Sequence, residues 1–129
     1  MSFELEAARQ KLAERVQFWQ RQLDEVIGKG VVLEVDPRGL PSNIAKLADF
    51  ANTGLGELRN ALADATRDGH FAAYFRSRVS KVLVRNDDDA PTSRFDFDVN
   101  RQLLVVITTS QLKQWLDFLG FQEFLRHEL

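Results

Sequence analysis

Few side chains in this sequence are placed to do chemistry. Asp36-Pro37-Arg38 follows a β-branched run, and His70 follows Gly69 at the end of a helical pattern. An acid, a guanidinium and an imidazole near a strand end are the parts of a proton-transfer site. A small enzyme working near Asp36, Arg38 and His70 is therefore one function class to carry forward. The plainer account of Asp36-Pro37-Arg38 is a charged turn. His127 is far from His70 in sequence, and neither has an acid at metal-ligand spacing on a clear helix. No Gly-x-Ser-x-Gly elbow is present. Gly54-x-Gly56 lacks the third glycine, the preceding strand and the lysine of a phosphate loop, so it reads as helix punctuation. No catalytic residue, cofactor ligand or metal ligand is assigned, and no cofactor is expected.

Two charged clusters also need an account. Asp87, Asp88 and Asp89, with Asp96 and Asp98 nearby, offer the oxygen ligands that a hard cation takes. The run has neither the turn glycine nor the closing glutamate of an EF-hand loop, and reads as a solubilising loop beside a wet strand face. Arg76, Arg78, Lys81 and Arg85 crowd one region, with Arg94 and Arg101 further on. A sheet that binds RNA shows basic and aromatic side chains on one open face. Strand parity splits these basic residues over two faces, and Phe95 and Phe97 should face the core. A sheet-based nucleic-acid binder is kept as a third class, behind cross-strand pairing with Glu34, Asp96 and Asp98.

The bulk properties agree with a plain globular protein. The 129 residues, 44% hydrophobic and 28% charged, suit a single α+β domain over 1–129. A net charge of −2 calls for neither nucleic acid nor an anionic membrane. There is no cysteine, which removes disulfides and thiolate chemistry and fits a reducing cytoplasm. No run approaches the ~20 apolar residues of a membrane span. The first residues read as amphipathic rather than as a secretion signal.

The elements follow from periodicity. Leu5, Ala8, Leu12, Val16, Trp19, Leu23 and Val26 mark a long first helix, with Ser2 as a possible cap and Gly28 and Gly30 as its stop. Val31–Val35 reads as a strand, and Ser42 stands where the next helix cap belongs. From Asn43 to Asp68 the apolar rhythm argues for one helix, but Gly54 and Gly56 favour two helices or one sharply kinked helix sharing a face. Asp68-Gly69 reads as its C-cap. Residues 70–78 fit helix or strand. Lys81–Asn86 is a clear strand, and Arg94–Thr108 reads as a β-hairpin. The expected fold is thus an antiparallel sheet of about four strands, one after the first helix and then a three-stranded meander. Helices should cover mainly one face.

The tail is the most apolar part of the chain. Leu112, Trp115, Leu116 and Leu119 form one arc before Gly120, while Phe121, Phe124 and Leu125 form another. Either Gly120 breaks the helix and folds the second arc onto the core, or the second arc meets a partner. Trp115, Phe118, Phe121, Phe124 and Leu125 are the interface candidates. The function expected is a homo-oligomeric interaction or binding module without catalytic activity. Its partner would be a second copy or another protein, with an apolar cleft under the first helix as a further binding place.

Overall fold

The computed structural model describes residues 3–111 and 114–129. Its elements are α1 (Phe3–Ile27), β1 (Val32–Val35), α2 (Ile44–Asp49), a π turn (Phe50–Gly54), α3 (Leu55–Ala65), α4 (Gly69–Arg78), β2 (Lys81–Asn86), β3 (Arg94–Asp98), β4 (Leu103–Thr108) and α5 (Phe118–Glu128). The expected Ser2 cap and the docking of Leu112 lie outside the described residues.

The strands form one four-stranded sheet in the order β1-β2-β4-β3. β1 and β4 both run parallel to β2, and β3 runs antiparallel to β4. The α+β class and the β3–β4 hairpin hold, but the sheet is mixed and mostly parallel, not an antiparallel meander. β4 sits between β2 and β3, so the expected β2–β3 pairing does not exist. The residues explain the exchange. Leu-Leu-Val-Val-Ile in β4 is apolar on both faces, as a central parallel strand is. Arg94, Asp96 and Asp98 give β3 a charged outer face, which suits an edge.

Strand parity then separates the two faces. Leu33, Val82, Val84, Leu104 and Val106 are buried in one cluster with side chains from all five α-helices. Val35, Phe95 and Phe97 pack against that cluster. The helices therefore form a single layer on one side of the sheet. Within this layer α1 is closed at its C-terminus by Gly28, whose φ is +101°, and by the Arg76 guanidinium, which donates to the Ile27 carbonyl.

The helical run from Ile44 to Ala65 is continuous, with a π turn where a break was expected. Two interior glycines cost a helix about 2 kcal/mol. Here both make room for tryptophan. A Cβ on Gly54 would lie 3.2 Å from Trp115 Cγ, and one on Gly56 would lie 3.2 Å from Trp19 Cη2. The indoles are anchored on the same segment: Trp19 Nε1 donates to the Ala51 carbonyl at 2.8 Å, and Trp115 Nε1 donates to Asp49 Oδ2 at 2.7 Å. The caps shift by small steps. Asn43, not Ser42, accepts from Lys46 N at the start of α2. Asp68 does not close α3 but opens α4, accepting from His70 N, so residues 70–78 are helical.

The tail turns before Gly120, not at it. Asp117 is the N-cap of α5, and its carboxylate accepts from Gly120 N at 3.1 Å. A Cβ on Gly120 would lie 2.2 Å from Asp117 Oδ2, so glycine is needed for the cap. Both apolar arcs meet one core. Trp115, Leu116, Phe121 and Leu125 are buried, and Phe95 packs on Phe121 and Phe124 with ring centroids 4.9 and 5.7 Å away. Replacing Trp19 by Phe should cost about 1–3 kcal/mol, because the hydrogen bond to Ala51 is lost together with the part of the indole that fills the space over Gly56. A urea midpoint equal to that of the unsubstituted chain would show that the Trp19–Ala51 contact carries no stability.

Candidate functional site

The strand-end cluster holds two of the three residues expected there. Asp36 continues β1 by donating its N–H to the Val84 carbonyl. Its carboxylate accepts from the Arg38 Nε, Nη2 and backbone N–H and from Arg85 Nε, at 2.9–3.2 Å. Arg38 above all, with help from Arg85, holds the Asp36 carboxyl far below its ordinary range, against the opposing effect of burial. A carboxylate fixed between two guanidinium groups is a poor proton acceptor at neutral pH. Their small open cleft is bounded by Gly39, Asn86 and Asp87 and does not include His70, which is exposed at the start of α4. The triad ties the β1 end to β2 rather than assembling a proton-transfer site.

The acidic loop has a structural task. β3 must reach the far side of β4, so residues 87–93 cross over the end of β4. Asp87 N donates to the Thr108 carbonyl, and Thr109 Oγ1 donates to the Ala90 carbonyl. Asp88 accepts from Asn86 Nδ2, Ser110 N and Ser110 Oγ at 2.7–3.1 Å. Burial penalises its charge, but the hydrogen bonds from Ser110 and Asn86 outweigh that and hold its carboxyl below the usual value. Among the described residues, no group of three His, Asp or Glu side chains is placed to hold a metal ion.

The basic residues do not gather with aromatics on one open sheet face. Arg76 and Arg78 lie on α4, where Arg78 sits 5.4 Å from the Phe97 ring centroid and donates to the Leu129 carbonyl. Lys81, Arg85 and Arg94 project from the opposite sheet face and pair with Glu34, Asp36 and Asp87.

That opposite face is the first surface of interest. Among the described residues no helix covers Leu83, Leu103, Val105 and Ile107, which are half-buried and stand outside the core cluster. The register sets Leu83 beside Val105 and Asp96, Lys81 beside Leu103 and Asp98, and Arg85 beside Ile107 and Arg94. An apolar stripe along β4 thus has Lys81 and Arg85 on its β2 side, and Asp98, Asp96 and Arg94 on its β3 side.

The second surface is a groove of about 520 Å³ between α1 and the outer edge of β1. Leu12, Ala13 and Val16 line one wall and Leu33, Val35 and Leu40 the other. It fits the cleft expected under the first helix. Beside it, the Gln20 carboxamide donates to the Val31 carbonyl at 2.9 Å and accepts from Leu33 N at 2.7 Å. Gln20 was missed in the sequence because nothing marks a polar helix residue as a cover for a strand edge. The open-face residues had a signal, the unbroken apolar run in β4, which demands contact on both sides.

Of the interface candidates, Trp115, Phe121 and Leu125 are inside the core, Phe124 is partly buried, and Phe118 is 36% exposed beside Leu119 at 78%. Comparison with known family models, curated proteins and solved structures returns no match.

The charges set opposite pH dependences. Asp36 has a depressed folded-state pKa, so its contribution to stability is full above its ordinary value of 3.8 and is lost as pH falls below it. Asp36→Asn should lower the urea midpoint at pH 7 and lose that deficit on acidification below about pH 4. A deficit independent of pH would contradict the ion triad. Glu57 behaves in the reverse sense. Burial first, and the nearby Asp49, push its carboxyl up, only partly offset by the N–H groups of Trp115 and Leu116. Its cost appears as pH rises above its ordinary 4.5. Glu57→Gln should therefore gain stability relative to the parent chain between acidic and neutral pH, and a constant difference would contradict this.

Proposed function

We propose that this protein is a non-catalytic association module that pairs with a second copy through the uncovered face of its sheet. The observation that carries this is the half-exposed stripe of Leu83, Leu103, Val105 and Ile107 on strands that are mostly parallel. Parallel sheets are as a rule covered on both faces. Burial of such side chains is worth about 25 cal/mol per Å².

The frame of charge supports a second copy over an unrelated partner. A two-fold axis along β4 carries the β2 of each copy over the β3 of the other. Lys81 of one copy then comes over the row of Asp98 in the other and Leu83 over the row of Asp96, while Arg85 and Arg94, which share a row, keep their own partners Asp36 and Asp87. Asp96 has no ion pair among the described residues. A self-complementary patch is what a two-fold interface requires. The resulting assembly has the helices outside and two sheets face to face, about 10 Å apart.

Sedimentation equilibrium of the purified chain should return about twice the 14.8 kDa of one copy. Val105→Lys, which sets a charge in the middle of the stripe, should return a folded monomer. Phe118→Ser should leave the mass unchanged. A monomeric parent chain, or a dimer that survives Val105→Lys and dissociates with Phe118→Ser, would overturn the proposal in favour of no pairing or of pairing through the tail.

A further inference from the structure

We infer that the groove between α1 and β1 takes an extended peptide from another protein, which joins the sheet as a fifth strand beside β1. The inference is independent of pairing between copies, because the groove lies at the sheet edge and not on its open face.

Backbone parity on β1 carries the argument. Val32 and Asp36 turn their N–H groups to β2, donating to the Ser80 and Val84 carbonyls. The alternate residues, Leu33 and Val35, therefore turn their N–H and C=O groups to the outer edge. A parallel neighbour on that edge would use one residue to donate to the Val31 carbonyl and accept from the Leu33 N–H. The Gln20 carboxamide makes both of these bonds. It stands in for one peptide unit of a neighbouring strand. The next such station along the edge consists of the Leu33 carbonyl and the Val35 N–H, and no group of the described chain fills it. Pro37, which has no N–H, ends the edge beyond it.

The empty station opens into the groove, whose walls are apolar and whose volume suits a short segment. Backbone hydrogen bonds with side-chain pockets alternating along the strand are the means by which sheet edges bind peptides. Two charged residues also line the groove: Glu34, which pairs with Lys81, and Arg9, which has no ion pair among the described residues. The segment that fits is extended, carries an apolar residue at alternate positions and has a carboxylate that can reach Arg9. Gln20 protects the first station of the edge, so only a segment that also fits the groove can add. Promiscuous edge pairing is blocked in this way.

The test uses the full chain labelled with 15N and a panel of capped hexapeptides. The parent peptide is Thr-Val-Thr-Val-Thr-Glu, and in the others Ile, Leu or Phe replaces both valines. At least one should shift the Leu33 and Val35 amide signals saturably at or below about 1 mM. Methylating the backbone nitrogens of that peptide at alternate positions should weaken binding tenfold or more. So should Val35→Pro, which removes the outward donor and leaves the bonds to β2 in place. Arg9→Glu should weaken binding of the Glu peptide and not of its Gln counterpart. The proposal is overturned if no member of the panel binds, if backbone methylation leaves affinity unchanged, or if the shifts centre on Leu83 and Val105. Running the titration on the Val105→Lys chain separates the two surfaces, since a monomer that still binds the peptide retains this inference even where pairing fails.

Discussion

β2 and β4 lie side by side and run the same way, although β3 separates them in sequence. The chain must then carry β3 past β4 to the far edge, and the strap 87–93 crosses the end of β4 to do so. That crossing fixes the tasks of residues that otherwise resemble a ligand-binding cluster. Asn86, Asp88, Ser110 and Thr109 spend their hydrogen-bonding capacity in seating the strap. On the other side of β2, parallel pairing with β1 demands a long return. The continuous helix from Ile44 to Ala65, followed by α4, supplies it.

Placing all the helices on one face has an energetic consequence. Core packing is concentrated between α1, the π turn, α3 and α5, where Trp19 and Trp115 reach the π turn from either side. A π turn is a costly irregularity in a helix and is found most often where local geometry serves a purpose. Here it lets two indoles be anchored within one helical segment, with Gly54 and Gly56 giving them space. The same arrangement leaves nothing to cover Leu83, Leu103, Val105 and Ile107. The open face and the edge groove are thus two results of one architecture, in which a single helical layer covers a sheet that is apolar on both sides at its centre.

Much of this was legible in the sequence, and the failures have physical causes. Periodicity located α1, β2 and the β3–β4 hairpin, because local patterning dominates there. Strand order was not legible, since an Asp-rich connection of this length can close a tight turn or span a neighbouring strand. The apolar run 103–107 was the clue that β4 is central. Gly120 was misleading. Glycine often ends helices, but at this position it serves the N-terminal cap made by Asp117. Asp36 and Arg38 were rightly seen as neighbours, yet Arg85 completes their cluster through the parallel register, and His70 lies on a helix instead. Of the tail aromatics that drew attention as interface material, Trp115 and Phe121 lie in the core, Phe124 packs against it and Phe118 stays exposed. On the open face of β2, Leu83 stands between Lys81 and Arg85, and its apolar run Val82-Leu83-Val84 is too short to mark a second buried face.

The central claim is that the bare sheet face is buried in solution by a second copy. Methyl relaxation with a soluble paramagnetic probe measures this residue by residue. Leu83, Leu103, Val105 and Ile107 should be shielded from the probe at high protein concentration and become accessible together on dilution, while Leu119 stays accessible throughout. Methyl groups of the four that remain accessible at every concentration would contradict it.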